Sequence, residues 1–322
     1  KSGGRIVKKE IIYSMDSGFR EEFKITGYRF GGKSDEEKEK SACIVGAMRG
    51  NEYQQLYICA LLINRLIELE QSGAIVGNNE ILVIPSLNNM SMNVGKRFWA
   101  SDNTDINRQF PGNPEGEPTS RIAAAVMKAV KGFRYGIQFP SFYMDGEFIS
   151  HVRMPETGKE STSLANLFGL PYVMVGKPRP FDAKTLNYNW QLSGTEAFSI
   201  YTGNTDEVDD GAARQAVSAV LRFLTRMGIL RYNCHNGYIA SILEETELVT
   251  VKSSSAGFFR RIAQINQEVK RGDVLAEILD PYLGNIISEV HATVDGIVFY
   301  SSNKPIILQN SIAFQIIKKL HE

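Results

Sequence analysis

Gly46-Ala47-Met48-Arg49-Gly50-Asn51-Glu52 closes an apolar run from Cys43 to Ala47 and opens an apolar helical stretch from Glu52 to about Leu69. A strand that turns tightly through glycine into a helix is the repeating unit of parallel α/β sheets, and it projects residues 49 and 52 together from the strand end. Histidine at 49 would give His-x-x-Glu, a pair suited to one zinc ion. Arg49 stands there instead. Its guanidinium is always protonated and has no lone pair to donate.

Upstream of this stretch, alternation from about Arg5 to Phe30 predicts strands, and the charged run Gly31 to Glu39 predicts an exposed connection. Downstream, the pattern predicts a strand from Glu80 to Pro85, an irregular polar loop from Asn88 to Pro118, a helix from Thr119 to Val130 and a strand from Tyr135 to Phe139. Helical periodicity returns at Ser161 to Phe168 and Gly211 to Met227. Residues 1–228 are therefore expected to form an α/β domain, a mixed and largely parallel sheet flanked by helices. Ligands of such sheets lie beyond the carboxyl ends of the strands, where Arg49, the loop 88–118 and Gln138 are expected to meet.

After Gly228 the texture changes to short strands punctuated by Gly and Pro, which predicts a small all-β domain over residues 229–322. Ser255-Ala256-Gly257-Phe258 and Val294-Asp295-Gly296-Ile297 each place glycine in an expected hairpin turn, as two related halves would. The 322 residues carry 36 Lys plus Arg and 36 Asp plus Glu, with no basic run, so neither nucleic acid nor an anionic membrane is an expected partner. Three cysteines without C-x-x-C spacing argue against a disulfide framework or a thiolate zinc site. No apolar stretch of ~18 residues and no hydrophobic signal core is present, so the expected location is cytoplasmic.

Asp105-Ile106-Asn107-Arg108-Gln109-Phe110-Pro111-Gly112 follows Gly46-x-x-x-Gly50-Asn51-Glu52 and Arg97, and precedes the glycine-punctuated β-domain. This order resembles the succinylglutamate desuccinylase/aspartoacylase family, a branch of the zinc carboxypeptidase-like fold, over most of the chain. The resemblance implies a deacylase whose zinc is held by the His and Glu of a His-Gly-Asn-Glu turn and by a second His closing an Asp-Leu-His strand. Those positions here are Arg49, Glu52 and the Gln138 of Gly136-Ile137-Gln138, so Glu52 is the family metal ligand that remains. The resemblance also implies that Asn107 and Arg108 grip a substrate carboxylate and that the general base corresponds to Glu196 in Gly194-Thr195-Glu196-Ala197-Phe198. Arg97, before Phe98 and Trp99, would add a second positive contact or a pocket wall. The β-domain is similar to barrel-sandwich modules of lipoyl and biotinyl carriers, but the turn at Val294-Asp295-Gly296-Ile297 offers no Lys for attachment.

One carboxylate and one neutral amide make a weak zinc site, and Arg49 repels a dication, so no cofactor is expected although zinc serves ordinary family members. Two arrangements of Arg49 follow. Its guanidinium takes the place of the metal and pairs with Glu52, and with Glu196 as well, or it turns to solvent while Glu52 meets a helix N-terminus. Asn107 and Arg108 either clamp a ligand carboxylate or serve a loop that Asp105 and Arg108 pin by an ion pair. His151 reads as a strand histidine, with a substitute metal ligand or acid/base as the alternative. The aromatic and amide-rich loops at 139–144 and 187–191 either line a pocket or pack. Ser141 and Ser199 lack a G-x-S-x-G setting. The expected function is binding of a small acylated amino acid or related carboxylate, with hydrolysis lost or weak. The alternatives are an amide or ester hydrolase with a non-standard metal or metal-free site, and an interaction protein with a vestigial pocket whose β-domain supports homo-oligomers.

Overall fold

The computed structural model describes residues 8–18, 21–32, 38–142, 144–203 and 207–319. The start of the expected N-terminal strands, most of the charged connection, Tyr143 and the penultimate His321 lie outside the described residues. In chain order the elements are β1 (Lys8–Met15), β2 (Phe23–Gly31), β3 (Glu39–Ala47), α1 (Tyr53–Gln71), β4 (Asn79–Ser86), α2 (Asn89–Met92), α3 (Pro118–Val130), β5 (Tyr135–Gln138), β6 (Glu147–Phe148), β7 (His151–Pro155), α4 (Thr162–Asn166), β8 (Tyr172–Gly176), α5 (Leu186–Leu192), β9 (Glu196–Tyr201) and α6 (Asp210–Arg226). Then follow β10 (Ser241–Glu244), β11 (Leu248–Lys252), β12 (Gly257–Arg261), β13 (Glu268–Val269), β14 (Val274–Leu279), β15 (Ile286–His291), β16 (Gly296–Ser301), β17 (Ile306–Ile307) and β18 (Ile312–Lys318). The chain divides into two compact units, one of residues 1–141, 151–201 and 205–242, the other of residues 142–150, 202–204 and 243–322.

The first unit is the mixed α/β body, built on a nine-stranded sheet of order β1-β2-β4-β3-β5-β9-β7-β8-β10. β4, β3, β5 and β9 run parallel, as do β7 and β8, while β1–β2, β2–β4 and β7–β9 are antiparallel. Helices cover both faces, so the central strands read as continuous apolar runs, and Ser41 to Ala47 of β3 are all buried. Alternate residues serve opposite layers. Ile44, Ile137, Phe198 and Ile200 join Ile58, Leu62 and Phe223 of α1 and α6 on one side. Val45 and Ala197 join Val126 of α3 and Trp190 of α5 on the other. In α1 the residues Ile58, Leu62, Leu66 and Leu69 recur every three or four positions and are buried as one stripe.

Two glycines are set by close approach. A Cβ on Gly46 would stand 2.3 Å from the Pro85 carbonyl oxygen and 2.6 Å from Cys59 Sγ, and one on Gly50 would stand 2.2 Å from the Lys96 carbonyl oxygen. The spacing Gly46-x-x-x-Gly50 thus lets β3 lie against β4 and α1, and lets the turn after it meet the 88–118 loop. Asn187 to Gln191, expected in a loop, belong to α5 and turn their amides inward. On α6, buried Arg222 donates from Nε to the His235 carbonyl at 2.6 Å and from Nη1 to the Phe168 carbonyl at 2.5 Å. Replacing Arg222 by Met strands both carbonyls and is expected to cost about 2 kcal/mol of unfolding free energy, read by urea titration.

The second unit is all β. One sheet runs β11-β18-β16-β13, with β6 paired to β16, and the other runs β15-β14-β12-β17. Moving every strand of β11–β14 onto its counterpart four places on, and the reverse, turns one order into the other. This topology supports the expected pair of related halves. The expected hairpin turns are not hairpins, because β11 pairs with β18 whereas β12 pairs with β14 and β17, so the chain crosses between sheets at Ser255-Ala256. Gly257 and Gly296 begin strands, where a Cβ would lie 2.3 Å from the Leu279 carbonyl oxygen and 2.0 Å from that of Ile317.

Candidate functional site

The parallel register sets Val45 beside Gln138 and Gln138 beside Ser199, so the carboxyl ends of β3, β5 and β9 are level. Beyond β3 the chain turns through Arg49 and Gly50 into α1, whose N-cap is Glu52. The Glu52 side chain does not cap its own helix. Its Oε2 accepts from the Met48 amide at 2.7 Å and the Arg49 amide at 3.0 Å. Its Oε1 accepts from Arg49 Nη1 at 2.9 Å, Ser141 Oγ at 2.6 Å and the Ser141 amide at 3.3 Å. Five donors therefore converge on a carboxylate that is wholly buried.

Arg49 is 5% exposed and does not turn to solvent. Its Nε and Nη2 donate to Asp105 Oδ2 at 3.1 and 2.8 Å, and Nη1 also reaches Ser141 Oγ at 2.9 Å. Burial works against the charge on Arg49, but the attraction of Glu52 and Asp105 and their hydrogen bonds outweigh it and raise the guanidinium above its ordinary pKa. The second carboxylate facing Arg49 is thus Asp105, and not Glu196.

Gln138 does not turn toward Glu52. Its Nε2 donates to Ser199 Oγ at 2.7 Å, Asn187 Nδ2 donates to the same oxygen at 2.8 Å, and Gln191 Nε2 donates to Asn187 Oδ1 at 3.0 Å. Thr157 Oγ1 completes the chain by donating to Gln191 Oε1. The layer between the sheet and α5 is therefore a relay of neutral amides and hydroxyls.

The Asp105–Gly112 string starts with a 3-10 turn, Ile106–Arg108, in which Asp105 Oδ1 accepts from the Asn107 amide at 3.0 Å. Asn107 Oδ1 accepts from the Leu186 amide at 3.2 Å, tying this turn to the start of α5. Arg108 pairs with Asp182, Nη1 to Oδ1 at 3.1 Å, and its guanidinium lies 4.8 Å from the centre of the Phe181 ring. An ion pair between Asp105 and Arg108 is not formed. Arg97 lies 5.9 Å from the Phe98 ring centre, and its carbonyl accepts from the Gly50 amide at 3.1 Å.

Glu196 is not brought to this place. It opens β9 in register with Tyr135, three residues before Ser199, on the sheet face that Phe198 and Ile200 pack. A base there is at the wrong end of the strand and on the wrong side. The residue at the carboxyl end is Tyr201, two positions beyond Ser199 on the same face and opposite His151 in the antiparallel register with β7. The two rings stack face to face, with centroids 5.0 Å apart and planes 6° from parallel. Burial raises the Tyr201 pKa, the guanidinium groups of Arg153, Arg49 and Arg108 oppose the rise in part, and Glu52 adds to it. Tyr201 is the residue that sequence reasoning missed. The signal was available in the alternation of Ala197, Ser199 and Tyr201, which places the last residue of the strand, rather than the first, at the ligand end.

Among the described residues no three His, Cys, Asp or Glu side chains cluster so as to hold a metal ion. His151 lies buried against Tyr201. Among those same residues no helix is long and apolar enough to cross a membrane.

Residues 38–227 match the profile of the succinylglutamate desuccinylase/aspartoacylase catalytic domain, a family that is typically zinc-dependent. A curated relative, N-alpha-acetyl-L-2,4-diaminobutyric acid deacetylase of Halomonas elongata, is 29% identical over 83 residues, which is 26% of this chain and 22% of that protein. The product-bound structure of the ectoine utilization protein EutE (DoeB) from Ruegeria pomeroyi is similar with a TM-score of 0.76 at 18% identity, covering 97% of this chain and 94% of that one. The succinylglutamate desuccinylase/aspartoacylase structure from Rhodobacter sphaeroides is similar with a TM-score of 0.72 at 17% identity, covering 93% and 90%. At these identities the structures speak to the fold.

Proposed function

Because the chain belongs to the succinylglutamate desuccinylase/aspartoacylase family, we propose that it binds a small acylated amino acid or related carboxylate at the carboxyl ends of β3, β5 and β9, with hydrolysis lost or weak. The reading takes residues 1–228 as the deacylase-like domain and the remainder as its β-domain. The observation that carries it is the Glu52 carboxylate, whose two oxygens already accept from five donors, Arg49 among them.

The donor set does not fit zinc. A zinc ion on Glu52 has to displace the Arg49 guanidinium and the Ser141 hydroxyl, and the positive charge beside it opposes entry. Gln138 is engaged with Ser199, and Arg49 has no lone pair. A full ligand set contributes ~10–16 kcal/mol to zinc binding, and one saturated carboxylate falls far short of that. In this reading Arg49 supplies the fixed positive charge, Asn107 and Arg108 meet the ligand carboxylate, and Arg97 forms part of the wall. Glu196 takes no part.

Calorimetric titration with Nα-acetyl-L-2,4-diaminobutyrate and with N-succinyl-L-glutamate, alongside metal analysis of the purified protein, tests this. Saturable binding of either compound by protein lacking stoichiometric zinc is expected. Stoichiometric zinc lost on mutating Glu52, or no binding of either compound, overturns the reading. Asp182 competes with a ligand carboxylate for Arg108, so Asp182→Asn is expected to tighten N-succinyl-L-glutamate binding about threefold to tenfold. The gain should shrink at high salt.

A further inference from the structure

We propose that the chain pairs with a second copy of itself through the outer face of the sheet β15-β14-β12-β17, about a two-fold axis that runs along the strands. The register defines that face. Phe259 lies opposite Ile278 and both pack into the core of the second unit, so the residues on either side of them along the strands point away from the core. One outward row reads Ile286, Leu279, Phe258, Ile306 across the four strands. Ile286, Phe258 and Ile306 are 46%, 43% and 54% exposed. Leu308 continues this face two residues past Ile306, and at the same end the β14–β15 turn holds Tyr282 and Leu283 out at 96% and 82% exposure. Asp280 shapes that turn, its Oδ1 accepting from the amides of both residues at 2.8 Å.

Area and charge both point to a second copy. Taken at ~150–200 Å² for a large side chain, the exposed fractions of Phe258, Tyr282, Leu283, Ile286, Ile306 and Leu308 amount to roughly 600–800 Å². That exceeds what a monomer ordinarily leaves uncovered in one patch and approaches the ~800 Å² per partner of a standard interface. The next outward row runs Glu289, Glu277, Arg260 in register, and Lys304, two residues before Ile306, stands on the β17 side. Two acids followed by two bases form an order complementary to its own reverse. A two-fold axis along the strands lays β15 over β17 and β14 over β12 of the other copy. Glu277 then meets Arg260, Glu289 meets Lys304, Leu279 meets Phe258, Ile286 meets Ile306, and the exposed turn meets Leu308. Within one chain Arg260 already pairs with Glu277 and Lys304 with Asp145, so contact across the axis extends these pairs into networks. An unrelated partner has to supply both the apolar row and the reversed charge order, whereas a second copy carries both.

Analytical ultracentrifugation of the full chain tests this. Dimer is expected to dominate at about 10 µM and above. Phe258→Lys with Ile306→Lys places cations in the apolar row and is counted twice in a symmetric interface, so the dimer dissociation constant should weaken about a hundredfold or more. Both residues are exposed, and circular dichroism and melting temperature should stay at wild-type values. A wild type that remains monomeric at tenfold higher concentration overturns the proposal, as does a dimer that the double substitution leaves intact. A second variant reads the geometry without touching the apolar row. Glu277→Arg with Arg260→Glu keeps the pair within each chain and remains complementary to itself, but sets like charges against wild type across the axis. It should dimerise alone and, when differently tagged chains are mixed, form heterodimers with wild type well below the statistical proportion. Free mixing with wild type overturns the proposed axis.

Discussion

Arg49→Met is expected to destabilise the protein by about 3–5 kcal/mol, because removing one partner of a buried ion pair leaves uncompensated charge in a low-dielectric site. Here two carboxylates, Glu52 and Asp105, flank the same guanidinium and lose it together. Urea titration of wild type and variant measures the loss. A destabilisation below about 1 kcal/mol, the range of an exposed ion pair, would remove the case for a built-in cation.

Arg49→His with Gln138→His is expected to bind zinc about one ion per chain, where wild type holds little. The pair places two imidazoles near Glu52, and removing Arg49 and Gln138 takes one of three donors from Glu52 Oε1 and one of two from Ser199 Oγ. The gain in zinc affinity should span several orders of magnitude, given the ~10–16 kcal/mol of a full set. Turnover of N-acyl amino acids should nevertheless stay near background. The nearest strand end carries Tyr201, a neutral phenol, and Glu196 lies at the far end of β9 on the opposite face. Zinc uptake accompanied by rapid hydrolysis would mean that only the ligands separate this chain from an active deacylase. No zinc uptake would mean that the neighbouring shell, Ser141 and Asp105 included, is built around an arginine.

The strand, the glycine turn and the helix around Ala47–Glu52 were legible in the sequence because an unbroken apolar run from Cys43 to Ala47 gives way, across a glycine turn, to apolar residues recurring every three or four positions. So was the α/β body, since its buried strands read as unbroken apolar runs between helical stretches. The pairing of Arg49 with Glu52 followed from a spacing of three residues. Its pairing with Asp105 did not, because 56 positions separate the two, Asp105 lies in the irregular stretch after α2, and no local period fixes how a loop closes. Glu196 was misplaced for a related reason. A carboxylate near a glycine looks the same at either end of a strand, and the parallel register of β5 and β9 decides which end carries chemistry. The amides of α5 suggested a loop by composition, yet Asn187 and Gln191 are four apart and pair along one helical face. In the second unit, glycine marked the right positions for the wrong reason, since a hairpin turn and a crossing between sheets bear the same punctuation.

Each sheet of that second unit takes two strands from the first half of its sequence and two from the second. Neither half contains a finished sheet, so neither can retain structure when the other is removed. Expressing residues 243–284 or 285–322 separately should yield chains without persistent order, whereas mixing them could restore both sheets at once. Such interlacing also makes every pairing in the unit depend on distant sequence, which favours a slow, all-or-none ordering step over piecemeal growth from one end.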